Sequence, residues 1–390
     1  MADTKVYLSG NRIQGRSDDT ATVITAAPLT SWKVVARAIL TSNASVMDTG
    51  TGNGTTSGCV VTENTMYATP REKYMVLVRV LWTSDPVQTK LQVRKTDGSI
   101  DTGNNYANRY SRDMQAQSAN ASDPLMFKLS DGTDNSDEFG VFHISNYVGG
   151  GSGDEGHRKL GFGTSMNAEV SSDGASNSPH IVYAIGGYKE YAETIKGIVV
   201  TNISGNDFKI GSEIIVLGLD DDEANSGDVF WDELDVAKVT SGTATSLEVE
   251  FTAKKYLWVE SLIVPTGAHV IDWTFSDAGG DLTSGYCWRT SNGIRGNSSS
   301  TQNTDDCGVV HPNASGANLS FTNTYISNPN GYIKMGIAQT VGATAGTAIR
   351  PTRQVLVFSQ SDTDQITKIK INTTSNAYGV GSVLRVWGHD

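Results

Sequence analysis

Short runs in which apolar and polar residues alternate, separated by polar turns, dominate the chain. Leu247-Glu248-Val249-Glu250-Phe251 alternates with period two, the pattern of a strand with one face on a core and one in water. Val76, Val78, Val80 and Trp82 form one face of a longer run whose other face holds Met75, Leu77 and Leu81. Apolar on both faces, that run is predicted to be central, between layers or against a partner module. Ile198-Val199-Val200, Ile214-Ile215-Val216-Leu217, Val355-Leu356-Val357-Phe358 and Ile369-Lys370-Ile371 are further β-rich runs, each bounded by Gly, Asn, Ser or Asp. Helix signals are almost absent. The pattern predicts an all-β chain of antiparallel β-sandwiches, and the irregular loop lengths favour jelly rolls over up-and-down barrels.

The second half repeats the landmarks of the first. Lys73-Tyr74-Met75-Val76-Leu77-Val78 returns as Lys255-Tyr256-Leu257-Trp258-Val259, and Tyr106-Ala107-Asn108-Arg109-Tyr110-Ser111 returns as Tyr286-Cys287-Trp288-Arg289-Thr290-Ser291. Phe208 to Gly218 matches Tyr378 to Gly388 without a gap, each with a glycine two residues before an apolar run, which suits a tight turn feeding a last strand. The expected organisation is an N-terminal arm over 1–32, a first jelly-roll module over 33–219, an acidic linker over 220–228 and a second jelly-roll module over 229–390, the modules related by tandem duplication. The short linker predicts modules packed against each other. The arm has no counterpart in module two and is the expected docking element for a neighbouring subunit.

Composition refines this picture. A chain of 390 residues is long enough for two cores, and 38% hydrophobic with only 18% charged residues suits many short strands. The net charge of -12 and the lack of a basic stripe argue against nucleic acid as a partner. No apolar stretch is long enough to span a bilayer, and Met1 to Tyr7 lacks the features of a secretory signal. Cys59, Cys287 and Cys307 are too few for a disulfide framework, although Cys287 and Cys307 are open to pairing.

The search for chemistry finds no catalytic constellation. Six histidines are scattered without metalloprotease spacing, no nucleophile elbow is present, and Gly149-Gly150-Gly151-Ser152-Gly153 lacks the Lys-Ser or Lys-Thr of a phosphate loop. Asp220, Asp221, Asp222, Glu223 and Asp228 form the strongest metal candidate, and calcium is the ion such an oxygen-rich turn would take. A solvated linker is the alternative reading. Asp131 to Glu138 carries the same two readings. The Asn-x-Ser/Thr sequons occur about as often as the composition dictates and carry no signal. Trp288, Tyr286, Tyr106 and Tyr110 fall where strands meet loops, where exposed rings would stack on sugars. The recurrence of Tyr106 and Arg109 as Tyr286 and Arg289 argues instead for a shared structural duty of those four, the arginines bonding buried carbonyls or a carboxylate. Trp288 replaces Asn108, is specific to the second module and is the better sugar candidate.

The order Tyr-x-x-Arg-x-Ser, a Ser/Asn/Thr-rich loop, a closing strand pair, aromatic-x-x-Gly-Ser and a last apolar strand ending in Gly resembles jelly-roll modules of tailed-virus and phage virion proteins. The elements are Tyr106 to Ser111 with Ile195 to Gly218, and Tyr286 to Ser291 with Ile366 to Gly388; Gly10 to Gly15 is similar to the start of such proteins. The resemblance implies a non-enzymatic particle component located in the virion: capsid, decoration, spike or tail. Its partners would be copies of itself and other virion proteins. The rival expectation is a carbohydrate- or receptor-binding protein holding a host-surface glycan on the loop aromatics.

Overall fold

The computed structural model describes residues 7–8, 12–13, 32–50, 54–56, 58–83, 89–112, 118–123, 125–129, 137–146, 159–167, 179–190, 193–202, 206–219, 229–267, 271–282, 285–292, 297–304, 319–343, 349–358, 364–373 and 375–390. Among these residues there are strands and turns but no helix, and the strand pairings are antiparallel.

In the arm, β1 (Tyr7–Leu8) pairs β2 (Arg12–Ile13). The first module carries β3 (Lys33–Leu40), β4 (Val46–Asp48), β5 (Gly54–Thr56), β6 (Cys59–Asn64), β7 (Lys73–Val80), β8 (Thr89–Arg94) and β9 (Tyr106–Arg112). It continues with β10 (Ser118–Asp123), β11 (Phe127–Lys128), β12 (Glu138–Ser145), β13 (Lys159–Asn167), β14 (His180–Tyr188), β15 (Gly197–Asn202) and β16 (Glu213–Leu219). The second carries β17 (Asp232–Lys238), β18 (Ser246–Glu250), β19 (Tyr256–Ile263), β20 (Ile271–Asp277), β21 (Gly280–Asp281) and β22 (Tyr286–Asn292). The remainder are β23 (Asn297–Thr304), β24 (Ser320–Ser327), β25 (Lys334–Ala343), β26 (Ile349–Phe358), β27 (Lys368–Thr373) and β28 (Val383–His389).

Each module is a large sheet facing a small one. The large sheets run β10-β9-β14-β13-β12-β7-β16-β3-β6-β5 and β23-β22-β26-β25-β24-β19-β28-β17, and the small sheets β11-β8-β15-β4 and β21-β20-β27-β18. The cores β3-β16-β7-β12 and β17-β28-β19-β24, each opposite its small sheet, have the strand order of a jelly roll. Four further strands extend both large sheets in the same order. The β5-β6 hairpin covers β3 in module one alone, while β17 is a bare edge, blunted by Asp232, Glu233 and Asp235 and by a bulge.

The cores follow the alternation read from the sequence. Val76, Val78, Val80 and Trp82 face the small sheet of module one, whereas Met75 and Leu77 face module two, so β7 is apolar on both sides because both sides are covered. Leu247, Val249 and Phe251 enter the core of module two while Glu248 and Glu250 stay exposed. In β13 and β14 glycine makes room for an aromatic pair. Phe127 and Phe142 stack 4.9 Å apart, and a Cβ on Gly163 would lie 2.1 Å from Phe142.

Two internal clasps recur. Ser212 and Ser382 are fully buried; their Oγ atoms accept from Leu81 N at 2.9 Å and Val264 N at 3.0 Å. Gly211 and Gly381, at φ 90° and 96°, make the preceding turns. Asn146 and Asn328 follow β12 and β24 and tie the start of β7 and β19 to the segment before β15 and β27. Their Nδ2 atoms donate to the carbonyls of Arg71 and Lys254, both at 2.9 Å. Their Oδ1 atoms accept from Ile195 N at 2.9 Å and Ile366 N at 2.8 Å.

The register corrects one sequence alignment. Gly218 pairs with Tyr74, and Gly388 pairs with Leu257. Tyr74 therefore corresponds to Leu257, one residue away from the match that the shared Lys-Tyr pair suggests. A one-residue slip reverses the faces, and Tyr74 points into its own module while Tyr256 points at the other.

Candidate functional site

The outer faces of the two large sheets meet in a third apolar core. Phe139, Val141, Met166 and Ile215 of module one pack with Trp231, Tyr325, Ile337 and Trp387 of module two, all at most 8% exposed. β25 lies against β12 and β13, and β26 against β14. The first residues after the linker form part of this seam. Phe230 sits edge-on to Trp231 at 4.7 Å, Trp231 edge-on to Trp258 at 5.9 Å, and Trp258 stacks on Trp387 at 4.6 Å. Burial of these rings against one another makes the modules one packed body.

A buried carboxylate closes the seam at one side. Glu213 is fully buried, and its Oε1 accepts from Arg37 Nε at 2.8 Å within module one. Its Oε2 accepts from the Tyr256 hydroxyl of module two at 2.7 Å and from Lys255 Nζ. Burial pushes the carboxyl up, but Lys255 and Arg37 beside it, with the hydrogen bonds from Lys255 and Tyr256, prevail and hold it below its ordinary value. Arg37 also donates to the Asp390 carbonyl at 3.0 Å, tying module one to the last residue.

Arg79 stands beside this carboxylate, paired in register with Glu213 across β7 and β16. It is 2% exposed, stands 4.4 Å over the Tyr332 ring of module two and 3.7 Å from Asp137. Burial pushes the Asp137 carboxyl from 3.8 up to about 6, with Arg79 and Lys209 offsetting only part of it. The folded chain thus holds this proton more tightly than the unfolded chain. The stability from Asp137 falls as pH rises from 3.8 to about 6 and is level above. Asp137→Asn is expected to remove that slope; urea melts of both proteins across this range would show it, and parallel pH profiles would contradict it.

The structure corrects the sugar-stacking expectation for Tyr106 and Tyr286. Both are buried, at 0% and 1% exposure, because each starts a strand on the inward face. The Tyr106 hydroxyl accepts from Val93 N at 3.2 Å and donates to the Asp101 carbonyl at 3.1 Å. The Tyr286 hydroxyl accepts from Phe275 N at 2.9 Å and donates to the Leu282 carbonyl at 3.1 Å. The pair is one repeated strut from large sheet to small sheet. Tyr106→Phe or Tyr286→Phe is expected to cost about 1–3 kcal/mol, because each leaves a buried amide unpaired; an unchanged urea midpoint would contradict the strut.

Tyr110 and Trp288 are half-buried and pack on the cores of their own modules, with Lys128 Nζ 4.7 Å over the Tyr110 ring. The structure does not bring the four aromatics together: Tyr106 and Tyr110 belong to one module, Tyr286 and Trp288 to the other, all on inward faces. Arg289 Nε donates to the Pro179 carbonyl across the seam at 2.7 Å, as a carbonyl-bonding arginine should, while Arg109 is exposed. Asp220, Asp221, Asp222, Glu223 and Asp228 lie outside the described residues, as do Asp131 to Ser136 and Cys307. Cys287 is buried in the seam. Among the described residues no group of His, Cys, Asp or Glu is placed to hold a metal ion, and no helix is long and apolar enough to cross a membrane.

The sequence reading missed Glu213, Arg79, Asn146 and Asn328. A signal existed for the asparagines: Ile144-Ser145-Asn146 recurs as Ile326-Ser327-Asn328. None existed for Glu213, whose partners lie in the other module.

No protein-family model matches the chain, and no curated protein matches it. Among solved structures, the mouse laminin alpha1 chain, domains LG4-5, is similar at 12% identity over 99% of this chain and 93% of that one. The TM-score is 0.18.

Proposed function

We propose that the chain is a non-enzymatic structural protein of a virus or phage particle, derived by tandem duplication of a jelly-roll module, that works by assembling with itself and with other virion proteins. The observation that carries this reading is the seam. Each module spends part of the outer face of its large sheet on joining the other module, which is how a building block uses a sheet face. The common strand order and the repeated serine, asparagine and tyrosine ties support the duplication. The sequence resemblance to particle proteins supports the virion setting. The burial of Tyr106 and Tyr286 takes two of the four aromatics from the glycan-binding alternative and leaves it the half-buried Trp288 and Tyr110.

Sedimentation velocity of the full chain over a concentration series, with negative-stain imaging of the heaviest species, tests the proposal. A discrete assembly of uniform size is expected. A monomer that persists at the highest soluble concentration would overturn it.

A further inference from the structure

The register places the two modules position by position, and it exposes an asymmetry in how they use the same surface. Arg79, Phe139 and Met166 form one cross-strand row on the outer face of module one, and the same row in module two is Leu262, Phe321 and Val341. In module one this row is buried in the seam, at 1–2% exposure. In module two it is open, at 39–42%.

A second row shows the reverse. Tyr325 and Ile337 of module two lead through β26 to Arg289 and are packed on module one; their equivalents His143, Phe162, Ile185 and Arg109 form the same row in module one. There Phe162 is 56% and Ile185 62% exposed. The ring of His143 stacks on Phe162 at 5.1 Å. The seam therefore joins the first row of module one to the second row of module two. The first row of module two and the second row of module one are left over. The first is apolar and stands one polar row, Glu260, Asn323 and Gln339, away from the seam. The second, apolar at Phe162 and Ile185 between His143 and Arg109, adjoins the seam residue Val141.

We propose that these two rows are the halves of one interface between copies of this chain: the Phe321 row of one copy covers the Phe162 row of the next, repeating between chains the contact made within the chain. The inference rests on the self-assembly reading and names its surface. The seam supplies the template down to a polar contact. Arg289 reaches the Pro179 carbonyl just ahead of β14, and Arg109 stands where Arg289 does. Because the halves differ, the contact is head-to-tail, and copies joined this way close into a ring or grow into a filament. Exposed apolar rows of this kind on a sheet face mark association sites.

The test uses the full chain with Phe162→Glu, with Phe321→Glu, and with the two variants mixed. Both side chains are well exposed, so both variants are expected to keep the wild-type circular dichroism and urea midpoint. By mass photometry the wild type is expected to assemble and each variant alone to lose assembly. An equal mixture is expected to form dimers and nothing larger, since the intact Phe321 row of one variant meets the intact Phe162 row of the other. Variants that assemble like the wild type would overturn this surface and leave the self-assembly proposal standing. A dimer formed by one variant alone would show a row pairing with itself and overturn the head-to-tail contact. A monomeric wild type would overturn both.

Discussion

Glu213→Ala is expected to destabilise the chain by about 3 kcal/mol, because it strands the cations that the carboxylate neutralises. A buried ion pair broken on one side costs about 3–5 kcal/mol when the remaining charge stays dry. Here Arg37 and Lys255 keep 23% exposure each, so water recovers part of that loss and the lower end applies. The Tyr256 hydroxyl, fully buried in the seam, also loses its acceptor. Glu213→Gln keeps an acceptor for Tyr256 and should cost less. The pH dependence has a definite sign. The folded carboxyl titrates below the ordinary 4.5, so the contribution is whole above that pH and fades as pH falls through the folded value. Urea melts of wild type and Glu213→Ala should differ at pH 7 and converge in acid. A constant difference across that range would show that the charge is not what matters.

Asn328→Ala and Asn146→Ala are each expected to cost about 2–4 kcal/mol, since each orphans buried backbone groups in two segments at once. Asn328 Nδ2 donates to the carbonyls of Lys254 and Ile366, at 2.9 and 3.1 Å, and its Oδ1 accepts from Ile366 N. Asn146 bonds the Arg71 carbonyl and Ile195 N, and its Nδ2 also meets the Tyr74 hydroxyl at 3.3 Å. Neither side chain exceeds 2% exposure, so water cannot replace these bonds. The shared third core adds a further expectation. A substitution in either module should lower one common unfolding transition, because a module that opens uncovers the seam face of the other. Two separated transitions in the Asn328→Ala melt would mean that the seam does not couple the modules.

Strands and their faces were legible where the inward face is aliphatic. The double-sided run of β7 announced a strand covered on both sides, and the period-two run of β18 announced a half-wet one. The closing segments aligned without a gap because a glycine turn, a buried serine and an apolar strand leave little freedom in either module. The sheet extensions were less legible. β13 reads Lys-Leu-Gly-Phe-Gly-Thr-Ser-Met-Asn, whose inward positions are glycines, a serine and polar ends, filled from elsewhere by Phe127 and Phe142. The Lys-Tyr coincidence misled because identity of two residues carries less information than the direction of a side chain. Tyr106 and Tyr286 looked like loop aromatics because a strand start next to Gly and Asn resembles a loop in sequence. For these tyrosines recurrence was the better guide, since both stand in the strut that the modules share. The seam had no sequence signature at all: Phe139 and Phe321 are the same residue at the same register, one buried and one exposed, and only the packing of one module on the other separates them.

The central claim is that the chain is a building block whose sheet faces exist to be covered by like modules. An image reconstruction of the purified, assembled full chain tests it most directly. The account predicts a closed or repeating assembly in which the Phe321 row of each copy lies against the Phe162 row of its neighbour, beside an intact seam. Single chains with both rows in water, or copies joined elsewhere with those rows open, would contradict it.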